Sequence, residues 1–203
     1  MKMRFKSLAY LAFAFSFFFI LPLTAIAKED EKLNIILNVP YYNQIKDLND
    51  FGAQYAGNSA CGPTALAIML KNEGMNIDPN DVLAIVPNEV YVSKVGFYRI
   101  EKGPSYFNKK VEVIKFSHKN IYDALNRGKP VFLNIKNYEG YYGHAVVIVG
   151  MRGFDGEKAD SLIIHDVWTE PYQEFKFNTY NTLVEPGKGY INTINESNLF
   201  IIK

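Results

Sequence analysis

Three short runs of aliphatic and β-branched residues in the second half of this 203-residue chain constrain its fold most. They are PVFLNIK at 130–136, HAVVIVGM at 144–151 and SLIIHDV at 161–167, and turn-forming residues separate them. Runs of this length and composition predict β-strands. The C-terminal run SNLFIIK predicts a last strand. The second half therefore predicts a sheet whose strands mostly follow one another directly.

The first half predicts helices instead. A strand at 33–39 precedes a helix at 63–72, which consists mainly of strong helix formers. Asp78 is placed to cap a second, short helix, and a third is predicted at 117–128. Residues 87–110 match no pattern that predicts an element. Helices that come before most of the strands favour an α+β fold.

The N-terminus has the features of a secretory signal peptide. MKMRFK is positively charged, a long apolar run follows, and AIA ends at residue 27 as a small-residue cleavage site. We expect residues 1–27 to be a signal peptide and 28–203 the secreted domain, with no stable membrane insertion after cleavage. The alternative is an uncleaved N-terminal anchor that retains the protein at the cell surface.

The charge of the predicted mature chain excludes a nucleic-acid partner. Removing residues 1–27 takes three of the 22 Lys and Arg residues and none of the 21 Asp and Glu residues, which leaves a net charge near −2. A chain without basic excess has no electrostatic attraction for phosphate backbones. The histidines and acids also lack recognisable ligand spacing, so no metal site and no cofactor are expected.

Cys61 is the only cysteine, so an exported chain cannot use it for an intramolecular disulfide. Such a cysteine is reactive, forms an intermolecular bridge, or is buried and inert. Cys61 lies two residues before the start of the predicted helix at 63–72. The free N–H groups and the dipole at a helix start stabilise a thiolate and lower the thiol pKa. This position favours a nucleophile over a packing residue.

A cysteine nucleophile needs a base, and the chain has three histidines. His118 lies in the first turn of a polar helix and is expected at the surface. His144 opens an apolar strand after the tyrosine-rich surface loop YEGYYG, and we expect its ring to be exposed to a cleft. Asp166 is the best candidate to orient an imidazole. Because strand side chains alternate, Asp166 and His165 point to opposite faces, so His165 faces away if Asp166 faces His144.

Acyl transfer also needs hydrogen-bond donors for the oxyanion. The backbone N–H of Cys61 is one candidate. Gln44 in VPYYNQ and Gln54 in GAQYAG are candidates for the second, and spacing alone does not decide between them.

In order, the segments VPYYNQ, SACGPTALAIML, GKPVFLNI, GHAVVIVGM and IIHDVW resemble the papain-like bacteriocin-processing, or double-glycine, cysteine peptidase family, and most closely its stand-alone secreted relatives. The resemblance covers residues 35–203. It implies a papain-like fold with N-terminal helices packed on a C-terminal antiparallel sheet. It also implies that Cys61 is the nucleophile and His144 the base. Asp166 becomes the orienting acid and Gln44 the oxyanion donor.

The resemblance implies a monomeric thiol protease that cleaves peptide or protein substrates through a thioester. The chain departs from the family in that no transporter domain follows, so leader cleavage coupled to export is not implied. IIHDVW lacks the family's frequent Asp-Pro, and Gln44 lies 17 residues before Cys61, so Gln54, seven before, stays a competitor. Two further hypotheses remain: a hydrolase of cell-wall peptides or other amides, and a catalytically inactive peptide-binding module.

Overall fold

A computed structural model describes residues 32–49, 60–87, 90, 99–138, 143–185, 187–188, 190–197 and 199–203. The predicted signal peptide and Gln54 lie outside these ranges. None of the helices within them has the length and apolarity needed to cross a membrane. The elements in chain order are β1 (Leu33–Ile36), α1 (Cys61–Asn72), α2 (Pro79–Ile85), a 3-10 helix (Ile100–Phe107), β2 (Val111–Val113), α3 (His118–Asn126), β3 (Val131–Ile135), β4 (His144–Phe154), β5 (Ser161–His165), β6 (Gln173–Thr179), β7 (Thr182–Val184), β8 (Ile191–Thr193) and β9 (Phe200–Ile202).

The strands of the described residues form one antiparallel sheet in the order β2-β9-β3-β4-β5-β6-β7-β8, with β1 paired to β4. Strand β4 organises it because its 11 residues pair with three neighbours. On one side β3 covers its first half, where Ile135 pairs with His144, and β1 covers its second half. Strand β5 lies along the other side. The site residues at the start of β4 are therefore held within the sheet rather than at its edge.

The sheet curls until it closes. Ile194, directly after β8, pairs with Ile135 at the end of β3. The N–H of Asn195 also donates to the carbonyl oxygen of Asn134 at 2.8 Å. Strands β3 to β8 consequently form a closed sheet that encloses an interior.

Two apolar cores lie on the two faces of the sheet. The interior cluster contains Val146 and Ile148 of β4 and also the buried side of α3. The outer cluster contains Val147 and Val149 of β4, together with α1 and α2. This alternation follows from the two-residue period of a strand. It packs α1 directly against β4, which brings the first residues of the two elements near each other.

The α+β prediction is confirmed, with a difference in layering. Helices α1 and α2 pack on the outer face of the sheet, and α3 packs on the interior face. The predicted strands at 130–136, 144–151 and 161–167 correspond to β3, β4 and β5. Strands β6 to β8 were missed because their short, half-exposed sequences carry polar residues on both faces, which hides the strand pattern.

Candidate active site

Helix α1 places Cys61 at its first residue, because the helix begins two residues earlier than predicted. The residue before it, Ala60, caps the helix without any side-chain hydrogen bond. The backbone N–H of Gly62 instead donates to the Cys61 sulfur. The thiol is 4% exposed and lies in the outer apolar cluster between α1 and the sheet. The sulfur thus occupies the place of a capping acceptor, where negative charge is favourable.

His144 and Asp166 meet where β4 begins and β5 ends. His144 Nε2 lies 2.8 Å from Asp166 Oδ1, and the two side chains are 2% and 0% exposed. The imidazole is also hydrogen-bonded to Cys61. Because Nε2 faces the carboxylate, Nδ1 is the nitrogen that remains for the thiol. The backbone N–H of Ala145 adds another hydrogen bond to the same sulfur. The fold therefore brings a thiol, an imidazole and a carboxylate into one buried series.

Two more donors hold the Asp166 carboxylate. The N–H of Trp168 donates to Oδ1 at 2.9 Å, and the hydroxyl of Tyr138 donates to Oδ2. The Tyr138 and His144 ring centroids are 4.3 Å apart, and the Trp168 ring lies 5.8 Å from the same imidazole. Tyr138 is fully buried, so the expectation of an exposed YEGYYG loop is wrong for its first residue. No signal in the sequence distinguishes Tyr138 from the tyrosines that follow it.

Cys61 and His144 shift each other's pKa toward the charged forms. Burial raises the pKa of Cys61, but the hydrogen bond and charge of His144, with the amides of Ala145 and Gly62, lower it below its ordinary value. Burial lowers the pKa of His144, but its hydrogen bonds to Asp166 and Cys61 raise it to about 9. Both shifts favour the thiolate–imidazolium form of the pair.

Asp166 supplies the compensating negative charge. Burial raises the pKa of its carboxyl group, but the hydrogen bond and charge of His144 and the donors Tyr138 and Trp168 bring it below its ordinary value. An ionised carboxylate accepts hydrogen bonds only, so all three partners act as donors. The imidazole is therefore held with a proton on Nε2.

His165 lies on the other face of β5 and takes no part in this series. Its Nε2 lies 3.0 Å from the carbonyl oxygen of Val39, and its Nδ1 accepts from the N–H of Tyr172 at 3.2 Å. Burial lowers its pKa, which keeps the ring neutral. Its two bonds tie the segment before Gln44 to the loop after Asp166.

His118 is not the surface residue that the sequence predicts. It is 2% exposed, and its ring is stacked between those of Phe177 and Tyr180, at centroid distances of 4.1 and 4.8 Å. Nδ1 accepts from the N–H of Ala159, and Nε2 donates to the carbonyl oxygen of Tyr180. The polar residues of α3 predict an exposed helix. The β6–β7 hairpin that covers the His118 ring is distant from α3 in sequence, so the sequence of α3 does not predict this burial.

Gln44 is anchored beside the end of β5. Its N–H donates to the carbonyl oxygen of Val167 at 2.7 Å, and the hydroxyl of Tyr41 donates to the carbonyl oxygen of Asp166 at 2.8 Å. The Gln44 side chain is 7% exposed, and its Oε1 accepts no hydrogen bond from the described residues. Its amide oxygen is thus not committed to a structural contact. Gln54, the competing residue, lies outside the described ranges.

The described residues contain no group of three or more His, Cys, Asp or Glu side chains arranged to hold a metal ion. The chemistry that the arrangement does allow is nucleophilic. A thiolate at a helix start, paired with an imidazolium that a carboxylate orients, can attack a carbonyl carbon and then return a proton to the leaving group.

Comparison with known proteins identifies the family of the chain. The family model described as the Peptidase_C39 like family matches residues 36–186. A solved structure of a candidate C39-like peptidase from Bacillus anthracis is 16% identical over 84% of this chain and 98% of that chain, with a TM-score of 0.48. No curated protein matches the sequence significantly. The family predicted by the resemblance is confirmed: because the family model spans most of the chain, the protein belongs to the C39-like peptidase family.

Proposed function

We propose that the protein is a secreted cysteine peptidase that hydrolyses peptide bonds through Cys61, His144 and Asp166. The observation that carries this proposal is the buried contact series at the start of α1, from the Cys61 thiol through the imidazole to the carboxylate. Membership of a peptidase family supports the same class of reaction. We further propose a monomer that takes peptide or protein substrates.

In the first step, the Cys61 thiolate attacks the carbonyl carbon of the peptide bond, and the carbonyl oxygen becomes an oxyanion. The N–H of Cys61 and the Gln44 amide stabilise that oxyanion. His144 then gives its proton to the leaving amine as the carbon–nitrogen bond breaks, which leaves a thioester. Proton transfer by a positioned group contributes about 10²–10⁴ in rate, and one oxyanion donor about 10²–10³.

In the second step, His144 is neutral and accepts a proton from water as the water oxygen attacks the thioester. The tetrahedral intermediate collapses, the carbon–sulfur bond breaks, and the carboxylic acid leaves. The Cys61 thiolate and the protonated His144 are restored. Asp166 stays ionised throughout and keeps Nε2 of the imidazole protonated and oriented.

The experiment that tests this proposal measures alkylation of Cys61 by iodoacetamide against pH. We expect rapid labelling well below pH 8, because a thiolate paired with an imidazolium is present there. Cys61→Ala should abolish turnover of any substrate that the wild type cleaves, and Cys61→Ser is the nearly isosteric control for folding. A Cys61 that labels only with the pH dependence of an ordinary thiol contradicts the proposal and favours an inactive binding module.

Substrate class is tested separately with casein and with purified cell walls. Cleavage of casein supports a general peptidase. Release of stem peptides from cell walls, with casein left intact, assigns the same chemistry to a cell-wall amide bond. Detection of the protein in the culture medium, with an N-terminus at residue 28, tests the proposed secretion.

A further inference from the structure

We infer that Tyr138 is a positioning residue for this reaction, which holds the Asp166 carboxylate as a fixed acceptor for His144. The inference rests on the proposed function and adds to it a residue on the far side of the carboxylate from the thiol. Tyr138 lies in the connection between β3 and β4, outside both strands.

The carboxylate oxygens of Asp166 have different partners. Oδ1 accepts from His144 Nε2 and from the Trp168 N–H, whereas Oδ2 accepts from the Tyr138 hydroxyl. Asp166 is 0% exposed, so water does not replace a missing donor at its surface. An ionised carboxylate buried with one oxygen unpaired carries the desolvation cost of that oxygen. Tyr138 removes this cost at Oδ2.

Tyr138 also fixes the plane of the carboxylate. A carboxylate held through one oxygen can rotate about its bond to Cβ, but a second bond to the other oxygen opposes that rotation. The plane of Asp166 sets the direction in which His144 Nε2 must point, and hence the direction of Nδ1 toward Cys61. Orientation of this kind is what a supporting residue contributes to a catalytic group.

Packing delivers the Tyr138 hydroxyl to this position. The ring is 1% exposed and belongs to the interior apolar cluster, where it lies 4.3 Å from the imidazole of His144. A ring held on all sides leaves the hydroxyl little freedom to bond elsewhere. The interior of the closed sheet therefore supports the carboxylate, while α1 on the outer face supplies the thiol.

The test compares the pH profile of Cys61 alkylation by iodoacetamide in the wild type and in Tyr138→Phe. The groups that face Asp166 are the imidazole of His144, the phenol of Tyr138 and, at its backbone oxygen, the phenol of Tyr41. Without the Tyr138 donor the carboxylate protonates more readily, and the imidazolium loses its counter-charge at a higher pH. We expect the acid limb of the profile to move upward by about one pH unit.

Tyr42→Phe is the matched control. The Tyr42 hydroxyl donates to the carbonyl oxygen of Ile77 at 2.9 Å and accepts from Lys71 Nζ at 2.6 Å, so this variant loses two phenol hydrogen bonds but none at Asp166. Its acid limb should coincide with that of the wild type. In an Asp166→Asn background, Tyr138→Phe should cause no further shift, because the group through which Tyr138 acts no longer titrates.

A Tyr138→Phe variant that keeps the wild-type acid limb, with only its stability reduced, overturns the inference and leaves Tyr138 a packing residue. If this variant does not fold, site-specific 3-fluorotyrosine at position 138 keeps the shape and strengthens the donor, and the acid limb should move to lower pH. An unchanged limb there also overturns the inference. The wild-type profile tests the proposed function separately, since an ordinary thiol profile contradicts that function before any variant is compared.

Discussion

His144 Nε2 lies 2.8 Å from Asp166 Oδ1 although the two residues are 22 positions apart and almost no surface of either side chain reaches solvent. Taking two charges out of water costs several kcal/mol for each ion, and close pairing with further hydrogen bonds must offset it. The donors at Asp166 and the thiolate at His144 supply that compensation. The buried charges therefore stabilise one another.

Asp166→Asn should keep the shape of this contact and remove its charge. The amide oxygen can still accept from His144, but the pKa of His144, now about 9, should fall by about one unit or more. The basic limb of the Cys61 alkylation profile therefore moves to lower pH. Asp123→Asn is the control, because Asp123 is an exposed carboxylate paired with Lys119. A basic limb that stays in place would show that Asp166 does not set the pKa of His144.

Gln44→Ala should separate stabilisation of the oxyanion from formation of the reactive thiolate. If Gln44 donates to the oxyanion, turnover of a cleaved substrate should fall about 10²–10³-fold. Alkylation of Cys61 forms no oxyanion, so its rate should stay within about twofold of the wild type. Gln54→Ala is the comparison, since the sequence leaves both glutamines open. The role passes to Gln54 if its variant shows the larger loss of turnover.

Acid should destabilise the fold partly through His165. Burial lowers the pKa of His165, so the unfolded chain binds this proton first as pH falls below about 6.5, and stability decreases there. His165→Phe should weaken the dependence of the unfolding free energy on pH between 7.5 and 5.5. At pH 7.5 it should cost about 1–3 kcal/mol, because Val39 and Tyr172 lose their buried partners.

Urea unfolding at the two pH values measures this effect. His118→Phe is the matched variant, since burial lowers the pKa of His118 as well and its ring nitrogens bond to Ala159 and Tyr180. Each substitution by itself should reduce the dependence of the unfolding free energy on pH. If His165→Phe has the same slope as the wild type, protonation of this ring does not contribute to acid unfolding.

Asp78→Ala should destabilise the protein by about 1 kcal/mol. The Asp78 side chain accepts from the N–H groups of Asn80 and Asp81 at 2.8 and 3.0 Å, which otherwise lack partners at the start of α2. Urea unfolding measures the loss. Asp123→Ala, at an exposed ion pair, should change stability by less than about 0.5 kcal/mol. Equal losses in the two variants would contradict a specific capping effect.

Much of the secondary structure could be predicted because its causes are local. The alternation and composition of β3, β4 and β5, and the capping residue of α2, depend on neighbours within a few positions. The burial of His118 and the closure of the sheet through Ile135 and Ile194 depend on residues about 60 positions away. Periodicity within one segment contains no information about such partners.

The features of the site likewise fall into local ones, which the sequence predicts, and tertiary ones, which it does not. The sequence by itself determined that Cys61 stands at a helix start and that His165 and Asp166 point to opposite faces, because helix ends and strand alternation are local geometry. Only the tertiary structure decided that Asp166 faces His144, that His165 joins two loops, and that Tyr138 completes the carboxylate. These contacts are set by the register of β4 against β5 and by the packing inside the closed sheet. Both arise from segments that meet only when the whole sheet has formed.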